Sequence, residues 1–280
     1  MTVAATEIRL QTYAFPGRWM SDGELDRLRA EIHDLTRRAL GRLPDYGVYL
    51  EDRRPFENRF VTIARSVADG QVVGFTAMVR WEIQLPDRRA PEPVVHLGLV
   101  LVDPELRGRK IMYGMYHRPL TRYFVNRGAR RLWITSASME PVIVGSVADS
   151  FSRVFPHYLG SGSPSSAQLA IARTFLESHG HEIGLWSGAS FDARQFVIRG
   201  SALGASASLI VPYERSARYR VEACNEFCRR TLDYARGDEF LQVGQVDLAA
   251  VARSAWWIAG RLRRRFARRA SALARPGPVP

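Results

Sequence analysis

HLGLVLVDPELRGRKIMYGM, residues 96–115, decides the fold. Its first seven residues form an apolar run with the β-branched content of a buried strand. The run ends at Val102, and Asp103-Pro104 breaks it. Arg107-Gly108-Arg109-Lys110 then turns into a helix pattern that continues to Asn126, with Gly128 at the position of a C-cap. Amide groups at a helix start lack intrahelical acceptors and carry partial positive charge, so they favour an anion, phosphate above all. Arg grips phosphate bidentately and Lys adds a point charge. Lys110 is the sole lysine of the chain.

Working outward, a capping box at Ser21 and Glu24 opens a helix from Ser21 to Leu40. Strands are expected over Arg59–Ser66 and Gln71–Glu82, joined by the turn Ala68-Asp69-Gly70, and over Val94–Val102. Downstream, the pattern predicts a strand at Arg131–Ser136 and a helix from Pro141 to about Phe151. A loop at Gly160–Ser166 leads to a helix over Ala167–Ser178, then to a strand pair at Phe191–Arg199 and Ala205–Val211. Helices are expected over about Arg218–Ala235 and Val246–Ala274. Antiparallel strands leading into a strand–helix–strand unit imply an α/β fold: a mixed, mostly antiparallel central sheet flanked by helices, with extra C-terminal helices. The expected division is an α/β domain at 1–212 and a helical extension at 213–280.

The same central segment resembles the GCN5-related N-acetyltransferase (GNAT) superfamily. Val102-Asp103-Pro104 and Arg107-Gly108 match its signature of a strand ending V-x-P followed by Arg/Gln-x-x-Gly-x-Gly/Ala, while Lys110 and Met112 stand where that signature has small residues. The resemblance implies a thioester of coenzyme A, or of an acyl carrier protein, in a cleft between the strands Val94–Val102 and Arg131–Ser136. The backbone of Val100, Leu101 and Val102 would hold the pantetheine arm. The turn Arg107, Gly108, Arg109, Lys110, Ile111 and Met112 would hold the pyrophosphate, with Lys110 and the Arg side chains compensating for the missing glycines. It also implies a base on the central strands and an acid for the departing thiolate. His96 is the first candidate base, since imidazole titrates near neutrality, and strand alternation from His96 would place Gly98, Val100 and Val102 on its face. Glu82 is the second. Ser146 and Tyr158 are the candidate acids, because the helix PVIVGSVADSF holds no tyrosine where the resemblance implies one.

Composition limits the remaining choices. Of 280 residues, 46% are hydrophobic and 24% charged, as in an ordinary globular chain. No uncharged apolar run approaches the roughly 18 residues of a spanning helix, and the N-terminus lacks the pattern of a secretory signal, so a cytoplasmic protein is expected. Cys224 and Cys228 are expected as buried thiols, and no metal is expected. The net charge is +12, of which residues 245–280 carry +7. There Leu248, Val251, Ala255, Ile258, Leu262 and Phe266 fall on one helical stripe, with Trp256-Trp257 and dense Arg alongside. Three readings stand open for 246–269: a helix lying on an anionic membrane surface, a docking face for an acyl carrier protein, or a packed helix with a solvated end. Nucleic acid is not expected, because the chain lacks a base-reading motif.

Ser138–Pro156 and the helix positions Ile111, Met112, Met115 and Tyr116 are apolar enough for core or for a fatty-acyl pocket. The expected function is transfer of an acyl group, long-chain rather than acetyl, to an amine such as an amino acid, an amino alcohol or a sphingoid-like base. A role in lipid biosynthesis would follow from the long chain and the membrane helix together. The alternatives are a small-molecule acetyltransferase and an inactive module that binds lipid or a partner.

Overall fold

The computed structural model describes residues 7–128, 130–160, 162–203 and 210–253. Its strands are β1 (Ile8–Ala14), β2 (Arg59–Ser66), β3 (Val72–Ile83), β4 (Glu92–His96), β5 (Val100–Val102), β6 (Leu132–Ser138), β7 (Ser152–Phe155), β8 (Ser190–Asp192), β9 (Val197–Arg199) and β10 (Glu239–Val246). Its helices are α1 (Asp22–Leu40), α2 (Ile111–Asn126), α3 (Pro141–Ser150), α4 (Ser166–Thr174) and α5 (Glu222–Thr231). All strands belong to one mixed sheet in the order β1-β2-β3-β4-β6-β10-β9-β8, with β5 paired to β3 and β7 to β10. Every pairing is antiparallel except β4 with β6. The α/β fold class expected from the pattern is therefore the observed one.

Helices cover both faces. On one, α1 starts from the capping box at Ser21 and buries Leu25, Leu28, Ile32 and Leu35 against Val61, Ile63 and Phe75. Each fully buried leucine or isoleucine stabilises by about 1.5–3 kcal/mol. On that same face α4 and the turns after it pack Ile171 and Phe175 on Val79, Trp81 and Trp133. On the other face, Leu120 and Phe124 of α2 and Val147 of α3 cover Phe60, Met78, Val95 and Ile134. Between α1 and the turns after α4 a gap is left over β2–β4, and it becomes part of the site described below.

Several elements differ from expectation. The strand expected over Val94–Val102 is broken into β4 and β5, and its register against β3 shifts by one residue between Val79↔His96 and Thr76↔Val100. This is a β-bulge at Leu97–Leu99, where Gly98 takes φ +63° and a Cβ would stand 2.1 Å from the Ala77 carbonyl oxygen. The extra residue cancels the expected alternation: Leu101 faces the α1 side, as His96 does, whereas Val100 and Val102 face α2. Phe191–Arg199 is a hairpin of β8 and β9 rather than one strand, and residues 205–209 lie outside the described residues. The helix expected over Ala167–Ser178 ends at Thr174 and continues as tighter and wider turns to Ile183.

Three strands gave no recognisable signal, among them the short β7, which pairs with β10. β1 is an edge strand of mixed polarity that takes its order from pairing along all of β2. β10 lies inside the segment expected to be a helical extension, yet it is central, bonded to β6, β7 and β9. Val246, expected to open a helix, is its last residue. Its sequence EFLQVGQV hides the burial, because Gln242 is 1% exposed and satisfies its amide by donating to the carbonyls of Val144 and Pro156, both at 3.2 Å. After β10 the chain turns helical at residues 248–253, with Asp247 accepting from the Ala250 amide at 2.8 Å. The remainder of the Trp- and Arg-rich stripe lies outside the described residues.

Candidate functional site

The parallel pair β4–β6 is bonded only from Val94↔Trp133 to His96↔Thr135, with one further bond from the Leu97 amide to the Thr135 carbonyl at 2.9 Å. Beyond that point β5 pairs with β3 and the end of β6 pairs with β10. The two strands separate because the bulge at Gly98 swings β5 away. Main-chain groups on the facing edges of β5 and of Ser136–Ser138 therefore open into a cleft of about 940 Å³. Such edges are where an extended ligand can pair with backbone.

At one end of the cleft stands the turn before α2. Gly108 and Lys110 both adopt left-handed φ, +76° and +61°. Lys110 occupies the N-cap without a side-chain capping bond. These two left-handed residues turn the chain into the start of α2, which adds its N-terminal partial charge. Arg107 and Lys110 line this end. Facing them is Glu140, the N-cap of α3, whose Oε2 accepts from the Ala217 amide at 2.7 Å. Burial raises the Glu140 carboxyl, against the lowering by that bond and by Arg107 and Arg218. The Ala217 carbonyl also takes the Val142 amide at 3.0 Å, so residues 210–217 form a wall tied to the start of α3.

His96 lies at the floor, where the strands begin to part. It is 4% exposed, its Nδ1 is bonded to Thr135 Oγ1 at 3.1 Å, and its ring stacks on Phe175 with centroids 5.0 Å apart. Burial, and secondarily Arg59, push its pKa down to about 3, against Glu182, so the ring is neutral across the physiological range. This corrects the expectation of an imidazole titrating near neutrality. The neutral ring accepts a hydrogen bond well and holds an added proton poorly.

The other end is built by Tyr46, Val48, Arg59 and Glu182. Glu182 is held by Trp81 Nε1 and His179 Nδ1, both at 3.0 Å, and by Asn58 Nδ2 at 3.2 Å. Although burial opposes it, these donors and Arg59 bring its pKa to about 2, a fixed carboxylate.

The structure thus gathers His96, Val100, Leu101, Val102, Arg107, Gly108, Lys110, Ile111, Met112 and Ser146 around one cleft. Arg109 is not among the lining residues. Glu82 is turned outward and pairs with Arg80. Tyr158 packs away from the cleft with its hydroxyl donating to Asp149 at 2.7 Å, and burial together with Asp149 raises it to about 12. Arg59, Glu140 and Glu182 were not singled out from the sequence. Arg59 had a signal, because it heads the face carrying Val61 and Ile63, where an apolar residue is the rule. Glu140 and Glu182 had none, since each enters the cleft through chain folding alone.

Among the described residues no helix is long and apolar enough to cross a membrane, and no cluster of His, Cys, Asp or Glu is arranged to hold a metal ion. Both cysteines are buried, and Cys224 Sγ donates to the Pro141 carbonyl at 3.6 Å.

No known family profile and no curated protein matches the chain. Solved structures overlap it in part. A GNAT family N-acetyltransferase from Escherichia coli in complex with CoA is 18% identical, with 49% of this chain and 65% of that one covered at a TM-score of 0.34. A conserved protein of unknown function from Enterococcus faecalis is 13% identical over 46% of this chain and 29% of its own, with a TM-score of 0.32. A GNAT family acetyltransferase from Brucella melitensis in complex with acetyl-CoA is 19% identical over 46% of this chain and 76% of its own, also at 0.32. The chain spans less than two thirds of the first two of these proteins.

Proposed function

We propose that the protein is a GNAT-type N-acyltransferase that moves an acyl group from a phosphopantetheine thioester to an amine. The observation that carries this reading is the parting of β5 from β6 next to a cationic turn at a helix N-terminus. The facing edges suit a pantetheine arm, and Arg107, Gly108, Lys110 and the start of α2 suit its pyrophosphate. Backbone amides at the β5 edge would polarise the thioester carbonyl. The attacking amine, delivered in its uncharged form, would donate a hydrogen bond to neutral His96, and its proton would leave to solvent. Ser146, on the cleft wall, would donate to the departing sulfur, and a thiolate leaves readily in any case.

We extend the proposal to a long-chain donor, from CoA or an acyl carrier protein, on the strength of the cleft's size and of apolar walls such as Leu40, Val48, Leu99 and Ile143. The basic, Trp-bearing stripe beyond residue 253 supports contact with an anionic membrane surface, and with it a role in lipid biosynthesis.

Thermal unfolding with free CoA, acetyl-CoA and palmitoyl-CoA, the last below its micelle concentration, tests these levels. Ligand at 100 times its Kd adds about 2.7 kcal/mol, a rise of about 5 °C for a chain of this size. A rise with palmitoyl-CoA well above that with acetyl-CoA, weakened by Lys110→Ala, supports the long-chain reading. Equal rises keep the transferase and remove the long chain. No rise with any thioester, together with no thiol release from an acyl carrier thioester, removes the transferase.

A further inference from the structure

Arg59, Val79 and His96 stand directly opposite one another across β2, β3 and β4, so their side chains share one face of the sheet. All three line the cleft. Neighbouring strands lie about 4.8 Å apart, which separates the backbones of Arg59 and His96 by about 10 Å. The long arginine side chain and the imidazole reach into that gap from opposite ends.

Arg59 is 3% exposed. Its guanidinium donates to the carbonyls of Pro55 and, at 3.1 Å, Glu182, with a 3.5 Å contact to Asn58 Oδ1. Among the described residues no carboxylate pairs with it. The nearby Glu182 is already committed to Trp81, His179 and Asn58. Although burial lowers its pKa to about 10, Arg59 keeps its charge at neutral pH. Its hydrogen-bond partners are all neutral oxygens, and the Glu182 carboxylate offsets its charge only from beyond ion-pair distance, so a carboxylate bound in the cleft would complete a costly buried cation.

We propose that Arg59 docks a carboxylate of the acceptor, which makes the acceptor an α-amino acid rather than a simple amine. The inference rests on the acyl-transfer reading of the same cleft. In an α-amino acid the nitrogen is one carbon from the carboxylate, so anchoring at Arg59 turns the amine along the row towards His96. Its nitrogen forms a bond to the thioester carbonyl carbon, the carbon–sulfur bond breaks, and the sulfur leaves as thiolate. The proton lost by nitrogen balances the thiolate, giving an N-acyl amino acid and a free thiol.

Matched acceptors test this: L-phenylalanine against phenethylamine, and L-leucine against 3-methylbutylamine, with acetyl-CoA and palmitoyl-CoA as donors. Thiol release and product mass are the readouts. The expected result is a preference for the amino acid on the order of a hundredfold in kcat/KM, the scale of an arginine–carboxylate pair lost in a dry site. Arg59→Gln should remove that preference by raising the acceptor KM while the donor KM holds, and Arg59→Lys should restore part of it. Equal or better use of the amines by the unaltered protein overturns the proposal and leaves the transferase standing, without relying on any variant. Equal losses for both acceptor classes in folded Arg59→Gln also overturn it. If no thioester is turned over, the transferase reading is what fails. Calorimetry with the free amino acids then decides the carboxylate site, and binding no tighter than that of the matched amines overturns it.

Discussion

Gly98→Ala should cost far more than a left-handed glycine ordinarily does. Gly98 and Gly108 both hold left-handed φ, +63° and +76°, and that conformation costs an alanine about 1–2 kcal/mol at either position. At Gly108 a Cβ meets nothing within 4 Å, so that is the whole effect. At Gly98 the Cβ would fall 2.1 Å from the Ala77 carbonyl oxygen, in the middle of the sheet, where backbone cannot yield locally. Relieving it means shifting β3 or undoing the bulge, an overpacking cost of about 1–3 kcal/mol more. The sum is about 2–5 kcal/mol, a fall in Tm of about 4–10 °C, against about 2–4 °C for Gly108→Ala. The pair is measured by thermal unfolding monitored by circular dichroism. If the chain escapes by straightening β4 into β5, the cleft narrows and thioester binding is lost together with stability. A Gly98→Ala melting point equal to that of Gly108→Ala would refute the bulge and the account of the cleft built on it.

Three further outcomes follow. Gln242→Leu keeps volume but strips two buried carbonyls, Val144 and Pro156, of their donor; denaturant titration should show a loss of about 1–3 kcal/mol, and no loss would place the amide elsewhere. His96 and His117 are buried and neutral, with pKa values pushed down mainly by burial, to about 3 and about 4. Because their folded values lie below the unfolded one, stability is full above pH 6.5 and falls as the pH drops towards 4, by up to about 1.4 kcal/mol per pH unit for each. His96→Gln should make that fall shallower, and an unchanged slope would mean that His96 binds protons in the folded state. Trp256→Ala with Trp257→Ala should release the full chain from sedimenting phosphatidylglycerol vesicles at physiological salt; equal sedimentation, or none by the unaltered chain, would remove the membrane reading.

Periodicity and turn chemistry were enough for elements whose signals are local. α1 follows from its capping box and its leucine stripe, and α2 from the strand break at Asp103-Pro104 and from Gly128. Pro141 opens α3 as its first residue. The cationic turn at Arg107–Lys110 was legible for the same reason, because an anion site at a helix start is made by consecutive residues. His96, Val100–Val102 and Ser146 were placed at the cleft by the family likeness of that segment, and the structure brings them there.

What the sequence by itself determined, then, is the class of fold and the end of the cleft that is contiguous in the chain. Tertiary structure alone decided the rest, because the deciding contacts join residues far apart. A one-residue bulge reverses every side chain beyond it, and only the Ala77 carbonyl against Gly98 shows why it is there. β10 reads as polar, and only its bonds to α3 and to Pro156 make Gln242 a core residue. The charge state of His96 depends on Phe175, Arg59 and Glu182, which reach it from other elements. The row from Arg59 to His96 exists only once β2, β3 and β4 have paired in register.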